Sequence, residues 1–341
     1  MNKDLLKKLL ETHGPSGSEG SVRDLIKKQM KPHVSEMYTD KFGNLIARKK
    51  GKGVSVMLVA HMDEIGVMVK SISKDGKVFI SPIGGIEPVT ILGENVRIIT
   101  RKKKEINGVI TTRDIQDSTE LTTLPAMEDL YIDAGLTKEE LERLGVSAGD
   151  YVHIMKKCVE LGDGALISGK AMDDRIGCFI LTELAKKLKK TKCEVYYVFT
   201  VQEEIGLYGA KTSVYSINPD YAVILDVTES DDGGQELPRK CVGKGPVIVM
   251  KDAEMITNRC MNDWFFDIAK KNKINIQAEV GSFGTTDALN ISVSKGGIPC
   301  TVLGVAVRNI HTTTSVASLD DINGVIKLID VLLKKPPRVC L

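Results

Sequence analysis

The stretch Val198-Phe-Thr-Val-Gln-Glu-Glu-Ile-Gly206 decides the predicted fold. Residues 195–201 are all apolar, aromatic or β-branched, which is the pattern of a buried strand. After Gln202 come two adjacent carboxylates, Glu203 and Glu204, which are costly to bury unless a cation or a loop mouth receives them. One could bind a metal while its neighbour transfers protons, although a strand that runs out into a solvated turn would show the same pattern. Because sites in open α/β sheets collect at the carboxyl ends of strands, the stretch predicts an α/β protein with its site at this edge.

Two other predicted strands end in residues that can bind metals. Residues 54–60 form an apolar run that ends in His61-Met62-Asp63. The outer side chains of His-x-Asp share a face, so Asp63 can orient the His61 ring, although a lone His at a strand end is more often hydrogen-bonded core. Residues 221–225 predict a further strand that ends in Asp226.

Two more candidates lie at a helix start and in a loop. Asp173 precedes an apolar-faced helix, where N-capping alone would explain an aspartate, and His311 follows the predicted strand 299–305. The whole set contains histidines and carboxylates but no thiol, which suits Zn, Co or Mn. A paired-metal site also needs a bridging carboxylate and a general base. The candidate site residues are His61, Asp63, Asp173, Glu203, Glu204, Asp226 and His311.

The middle of the chain has a different pattern from its two ends. From about Gly66 to Leu161, short alternating runs are separated by Gly and Lys turns, which predicts a small β-rich domain inserted into the α/β one. We therefore expect a discontinuous catalytic domain over 1–65 and 164–341, with a β-barrel-like domain over 66–163 between them. Near the start of the chain, Gly14-Pro-Ser-Gly17 is interpreted as a chain breaker without a chemical role.

Composition excludes several classes of protein. The 341 residues are 42% hydrophobic and 27% charged, which is typical of a globular chain with ample core. Lys+Arg 47 against Asp+Glu 45 gives a net charge of +2, so nothing favours nucleic acid or an anionic membrane as a partner. The sequence has no apolar run of ~18 residues and no signal-peptide core at its start, so we expect a cytoplasmic protein. Its seven scattered cysteines predict reduced, mostly buried thiols rather than a disulfide framework.

Seven motifs, in a fixed order along essentially the whole chain, carry a family resemblance. They are Gly14-Pro-Ser-Gly17, Ala60-His-Met-Asp-Glu-Ile-Gly66, Gly169-Lys-Ala-Met-Asp-Asp-Arg175, Gln202-Glu-Glu-Ile-Gly206, Leu225-Asp-Val-Thr228, Thr286-Asp-Ala288 and Arg308-Asn-Ile-His311. This order resembles the dinuclear-metal aminopeptidases, which include the glutamyl, lysyl and deblocking aminopeptidases of bacteria and archaea. The resemblance implies a three-layer catalytic domain with a mixed sheet, like that of zinc peptidases, and the inserted β-rich domain.

The resemblance also implies a ligand set for two divalent ions per subunit, Zn or Co. His61 and Asp226 would complete one metal site, and Glu204 and His311 would complete the other. Asp173 would bridge the two ions.

Two further residues gain roles through the same resemblance. Glu203 would be the general base and Asp63 would brace His61. The peptide bond between Asp173 and Asp174 would be cis.

The implied activity is metal-dependent removal of N-terminal residues from peptides, by a water held between the two ions. A metal and nearby carboxylates would hold the free α-amino group of the substrate. Members of the family form homo-oligomers from dimers to tetrahedral dodecamers, and the inserted domain is their dimerisation domain. The chain departs from the family pattern at Phe283, where a glycine is usual, and at Thr312-Thr313-Thr314, where Ser-Pro is expected.

Other functions remain possible on the sequence alone. An N-acyl amino acid deacylase could use the same site, because the same water serves any amide. A glycoside hydrolase is a further alternative, because some relatives are labelled endoglucanases. It is favoured less, since one Trp and 5% aromatics give few residues for sugar stacking. A non-catalytic assembly protein with this fold would have lost a ligand, and none is lost.

Overall fold

The computed structural model describes residues 1–118, 120, 123–234 and 239–336. Its helices are packed around a large sheet and a small barrel. No helix within these ranges has the length and apolarity to cross a bilayer. The α-helices are α1 (Lys3–Glu11), α2 (Gly20–Met30), α3 (Arg113–Gln116), α4 (Lys138–Leu144), α5 (Met172–Lys187), α6 (Tyr208–Ile217), α7 (Arg259–Lys271), α8 (Ala288–Ser292) and α9 (Leu319–Lys334).

The large sheet is mixed, with a parallel centre. Its strands are β1 (Glu36–Thr39), β2 (Leu45–Lys49), β3 (Ser55–His61), β10 (Val159–Leu161), β11 (Leu166–Gly169), β12 (Glu194–Thr200), β13 (Tyr221–Glu229), β14 (Val247–Lys251), β15 (Gln277–Val280), β16 (Cys300–Arg308) and β17 (Ser315–Ser318). They follow the order β1-β2-β12-β3-β13-β16-β17-β11-β10, and β14 pairs with β15 and β16. The central strands β12, β3, β13 and β16 run parallel, so their carboxyl ends meet at one edge. The flanking pairs β2–β12, β16–β17 and β14–β16 are antiparallel.

Helices cover both faces of this sheet and make three layers. Along β3, Leu58 packs into a cluster with Phe179 of α5, whereas Val59 packs on the opposite side with Ala210 of α6 and Ile291 of α8. This alternation is the period-two pattern of a strand buried on both faces. The predicted three-layer α/β fold with a mixed sheet is therefore confirmed.

The segment after β3 forms a closed barrel with its own apolar core. Its strands are β4 (Gly66–Ile72), β5 (Val78–Ile83), β6 (Asn95–Ile99), β7 (Glu105–Thr112), β8 (Leu130–Asp133) and β9 (Tyr151–Ile154), in the order β4-β5-β8-β7-β6-β9. Val67, Ile98 and Ile132 are among the side chains that fill its core. The inserted β-rich domain thus exists. The predicted boundaries at 66 and 163 stay a prediction. Strand β10 lies before residue 163 and pairs with β11 of the large sheet.

Several local predictions need correction. Strand β13 does not end before Asp226 but continues to Glu229, because the long β16 offers pairing partners as far as Val307. Cys260 is disulfide-bonded, contrary to the expectation of reduced thiols. The free thiols in the described residues are Cys158, Cys178, Cys193, Cys241 and Cys300.

Candidate metal centre

The site forms where the parallel strands of the large sheet end. His61 is the last residue of β3 and pairs in register with Thr200, the last residue of β12. Glu203 and Glu204 follow β12, and Asp226 lies on the neighbouring strand β13. Parallel strands bring their carboxyl ends to one edge, so residues far apart in sequence converge there.

Asp173 lies at the centre of the cluster, at the start of α5. Its Oδ1 is 2.8 Å from His61 Nε2, and its Oδ2 is 3.2 Å from His311 Nε2. Asp226 Oδ1 lies 4.0 Å from His61 Nε2 on one side, and Glu204 Oε2 lies 3.6 Å from His311 Nε2 on the other. The five predicted ligands therefore form one contiguous group, in which each carboxylate oxygen of Asp173 faces a different histidine. The peptide bond between Asp173 and Asp174 is cis.

The electrostatics of the cluster suit bound cations. Glu204 Oε1 and Asp174 Oδ2 are buried and find no hydrogen-bond partner in the described part of the chain. Burial and the negative charge of Asp173 raise the pKa of Glu204 to about 8 and also raise the pKa of Asp226. Burial would raise the pKa of Asp173 as well, but hydrogen bonds with His311 and His61 lower it. Carboxylates this close repel one another unless a positive charge lies between them, and imidazole with carboxylate ligands fits a divalent metal ion.

Asp63 is fully buried and contacts three residues of the site. Its Oδ1 lies 3.5 Å from Nδ1 of His61, whose ring also contacts the Asp63 carbonyl oxygen at 3.2 Å. The same carboxylate accepts hydrogen bonds from the backbone N–H groups of Glu203 and Glu204, both at 3.1 Å. Asp63 therefore holds a histidine and the two glutamates in one arrangement.

The cluster opens into a cavity of about 870 Å³. Glu203 lines this cavity beside the cluster, and burial raises its pKa well above the usual range for glutamate. The walls also include the apolar Val249, Val302 and Ile310. Phe283, which departs from the family pattern, also lines the cavity and is 91% exposed.

Acidic groups outnumber basic groups on the wall away from the cluster. Lys240 forms an ion pair with Glu279, and Arg239 Nε lies 3.7 Å from Asp231 Oδ2. Asp252 is buried, and its Oδ2 has no hydrogen-bond partner among the described residues. Both cationic groups of the described wall thus already face a carboxylate.

The barrel contributes a tight contact to the cluster, which the sequence interpretation missed. A Cβ added at Gly84 would lie 3.2 Å from Cβ and Oε2 of Glu204. A Cβ added at Gly85 would lie 3.0 Å from His311 Nδ1. Only glycine lets the barrel backbone come this close to the two residues, and a glycine pair in a β-rich stretch gives no signal of that contact.

The loop that carries His311 is also tied to the barrel. Thr313, at a position where proline was expected, donates a hydrogen bond from Oγ1 to Glu94 at 2.9 Å. The departure from the family pattern therefore has a structural use, because a hydroxyl links the loop to the barrel.

Asp174 was also missed as a site residue. Its carboxylate lies with a ring nitrogen of His61 and the carboxylate of Asp226 in a group whose ligand atoms are within 4.8 Å of one another. Adjacent aspartates were visible in the sequence, but a helix start explains them equally well.

A curated relative and two solved structures match nearly the whole chain. A lysyl aminopeptidase from Pyrococcus furiosus is 32% identical over 340 residues, covering 97% of this chain and 96% of that protein. Among solved structures, aminopeptidase APDkam598 from the archaeon Desulfurococcus kamchatkensis matches with a TM-score of 0.93 and 36% identity, covering 97% of this chain and 94% of that one. The PhTET1-12s structure, a dodecamer, matches with a TM-score of 0.87 and 31% identity, covering 98% and 99%.

The family model described as M42 glutamyl aminopeptidase matches residues 43–328. This range includes most of the large sheet, the whole barrel and every residue of the cluster. It favours hydrolysis of N-terminal peptide bonds over the deacylase and glycoside hydrolase alternatives. The chain therefore belongs to the M42 glutamyl aminopeptidase family and is an aminopeptidase.

Proposed function

We propose that this aminopeptidase works with two divalent ions, Zn or Co, held on either side of Asp173. His61 and Asp226 would hold one ion, and Glu204 and His311 the other. The observation that carries the proposal is that Oδ1 and Oδ2 of Asp173 face different histidines, at 2.8 and 3.2 Å. When bound, such ions supply Lewis-acid polarisation of the scissile carbonyl and a lowered pKa of the attacking water.

The side chains around the ions would do the rest of the chemistry. Glu203 lines the cavity next to the ligand Glu204, where its carboxylate can accept the proton of the attacking water and return it to the leaving amine. Asp63 would act as a positioning residue, because it contacts the His61 ring and accepts the N–H groups of Glu203 and Glu204. The acidic cavity favours a substrate with a charged α-amino group, which would restrict cleavage to the first residue of a peptide.

Reconstitution with defined metals tests this proposal. Metal-stripped protein would be loaded with Co or Zn and assayed on aminoacyl-anilides and on their N-acetylated forms. The proposal expects activity only with metal and only on free amines. Cleavage of the acetylated forms would indicate a deacylase, and activity that survives removal of all metal would contradict the two-ion mechanism.

We also propose that the chain assembles as a homo-oligomer and that residues 66–163 act as a separate dimerisation domain. The dodecameric state of the PhTET1-12s structure supports the first point, and the closed barrel with its own core supports the second. Light scattering on the purified chain would test the assembly, and a monomer at micromolar concentration would contradict it. The cytoplasmic location stays a prediction that cell fractionation tests.

A further inference from the structure

The turn Gly14-Pro15-Ser16-Gly17, between α1 and α2, lies directly against the segment that carries the proposed general base. Ser16 is buried, and its Oγ donates a hydrogen bond to Asp63 Oδ2 at 2.7 Å. That same oxygen accepts the Glu204 N–H, and Asp63 Oδ1 accepts the Glu203 N–H. The turn is therefore one hydrogen bond away from the carboxylate that holds the backbone of both glutamates.

A second residue next to the turn, Glu19, holds the backbone N–H of Gln202, which precedes Glu203. Glu19 is buried, and its Oε1 accepts hydrogen bonds from Gly17 N at 2.7 Å and from Gln202 N at 3.2 Å. Gln202 has φ of 55°, a left-handed conformation that residues other than glycine rarely adopt and that must be held by its surroundings. Three successive N–H groups, those of residues 202, 203 and 204, thus end on carboxylates from two other segments of the chain.

The turn itself is fixed from three sides. Glu64 accepts the Gly14 N–H at 2.8 Å and donates its own N–H to the Gly14 carbonyl at 3.1 Å. Arg175, fully buried, donates to the same carbonyl at 3.3 Å. From the barrel, the Tyr151 hydroxyl donates to the Ser16 carbonyl at 3.3 Å. A turn anchored in this way can hold the Asp63 carboxylate in a fixed position.

We propose that Ser16 and Glu19 are positioning residues for Glu203, Ser16 through Asp63 and Glu19 through the Gln202 amide. This inference rests on the proposed role of Glu203 as general base. Neither Ser16 nor Glu19 lines the cavity. Both fix the direction in which the Glu203 side chain leaves the backbone, and small errors in the placement of a reacting group reduce turnover far more than they reduce binding.

The test compares matched variants of the metal-loaded enzyme. Ser16→Ala and Glu19→Ala should lower kcat by about 10- to 100-fold with KM within about twofold of wild type. Glu19→Gln keeps an oxygen that can accept both amides, so it should recover most of the kcat lost in Glu19→Ala. Tyr151→Phe removes a single bond to the turn and should have a smaller effect. Ser213→Ala is the control and should keep wild-type kcat, because this buried serine donates its side-chain hydrogen bond to Ala210 within α6.

Metal content and melting temperature are measured for each variant. The inference is overturned if folded Ser16→Ala and Glu19→Ala keep kcat within about twofold of wild type, or if Glu19→Gln is as slow as Glu19→Ala. It is also overturned if activity falls in proportion to metal content, because the turn would then position the metal ligands rather than Glu203. Should Ser16→Ala fail to fold, the Glu19 pair decides alone. Glu203→Gln separates the two claims, since an active Glu203→Gln enzyme would refute the role of Glu203 itself.

Discussion

Replacing Gly85 by alanine should weaken metal binding on the side of the cluster that contains His311. The added Cβ would lie 3.0 Å from His311 Nδ1 and 3.3 Å from Cε1. Since contacts this short are tighter than nearly all real Cβ contacts, the imidazole must retreat by a few tenths of an ångström. His311 Nε2 lies only 3.2 Å from Asp173 Oδ2, so even a shift of that size disturbs the spacing of the ligands.

We expect affinity for one of the two ions to fall about 10- to 100-fold, which is the range seen when a ligand is pushed out of orientation. Metal content after dialysis against a graded chelator, measured by plasma mass spectrometry, gives the affinity. Activity should return when metal is added in excess. Gly296→Ala is the control, because its added Cβ meets no atom of the described chain within 4 Å. Wild-type metal affinity and activity in Gly85→Ala would refute the contact between the barrel and His311.

Three other predictions follow from the same structure. Asp173→Asn keeps the size of the side chain but loses the charge that faces both histidines. Both ions should therefore be lost, and activity should fall by more than about 100-fold. If plasma mass spectrometry detects one retained ion, Asp173 does not bridge the two ions. On the described cavity wall, Lys240 and Arg239 already face carboxylates. The kcat/KM for lysyl-anilide should therefore exceed that for glutamyl-anilide by at least about tenfold. The reverse order would contradict an acidic cavity wall. Burial lowers the pKa of His13 to about 3 and that of its stacked neighbour His153 to about 4. Since the unfolded chain takes up these protons near pH 6.5, stability should be full above pH 6.5 and fall as the pH drops towards 4. Urea unfolding should show a weaker pH dependence in His153→Gln, and an unchanged dependence would exclude this pair as the cause.

Much of the α/β fold could be predicted because its strands have local signals. β3 and β12 are continuous apolar runs, and each ends abruptly in polar residues that mark the edge of the sheet. At the start of α4, Thr137 and Glu140 form a capping box, which is likewise a local signal. By contrast, the end of β13 was misplaced, since its length is set by pairing with β16 and not by its own residues.

The site was predicted less completely than the fold. Residues at strand ends are visible in the sequence because polarity changes sharply there. The contacts of Ser16 and Glu19 join residues more than 40 positions apart in the chain, and Gly85 matters through a close backbone approach. Neither kind of contact produces a periodic pattern in the sequence. The closure of the barrel likewise depends on the pairing of β9 with β4, a long-range contact that no short run of residues encodes.

Anomalous diffraction from crystals of the zinc-loaded enzyme would locate the bound ions relative to Asp173. We expect two peaks about 3.5–4 Å apart on either side of Asp173, one in contact with His61 and Asp226 and the other with Glu204 and His311. A single peak, or peaks that do not share Asp173, would contradict it.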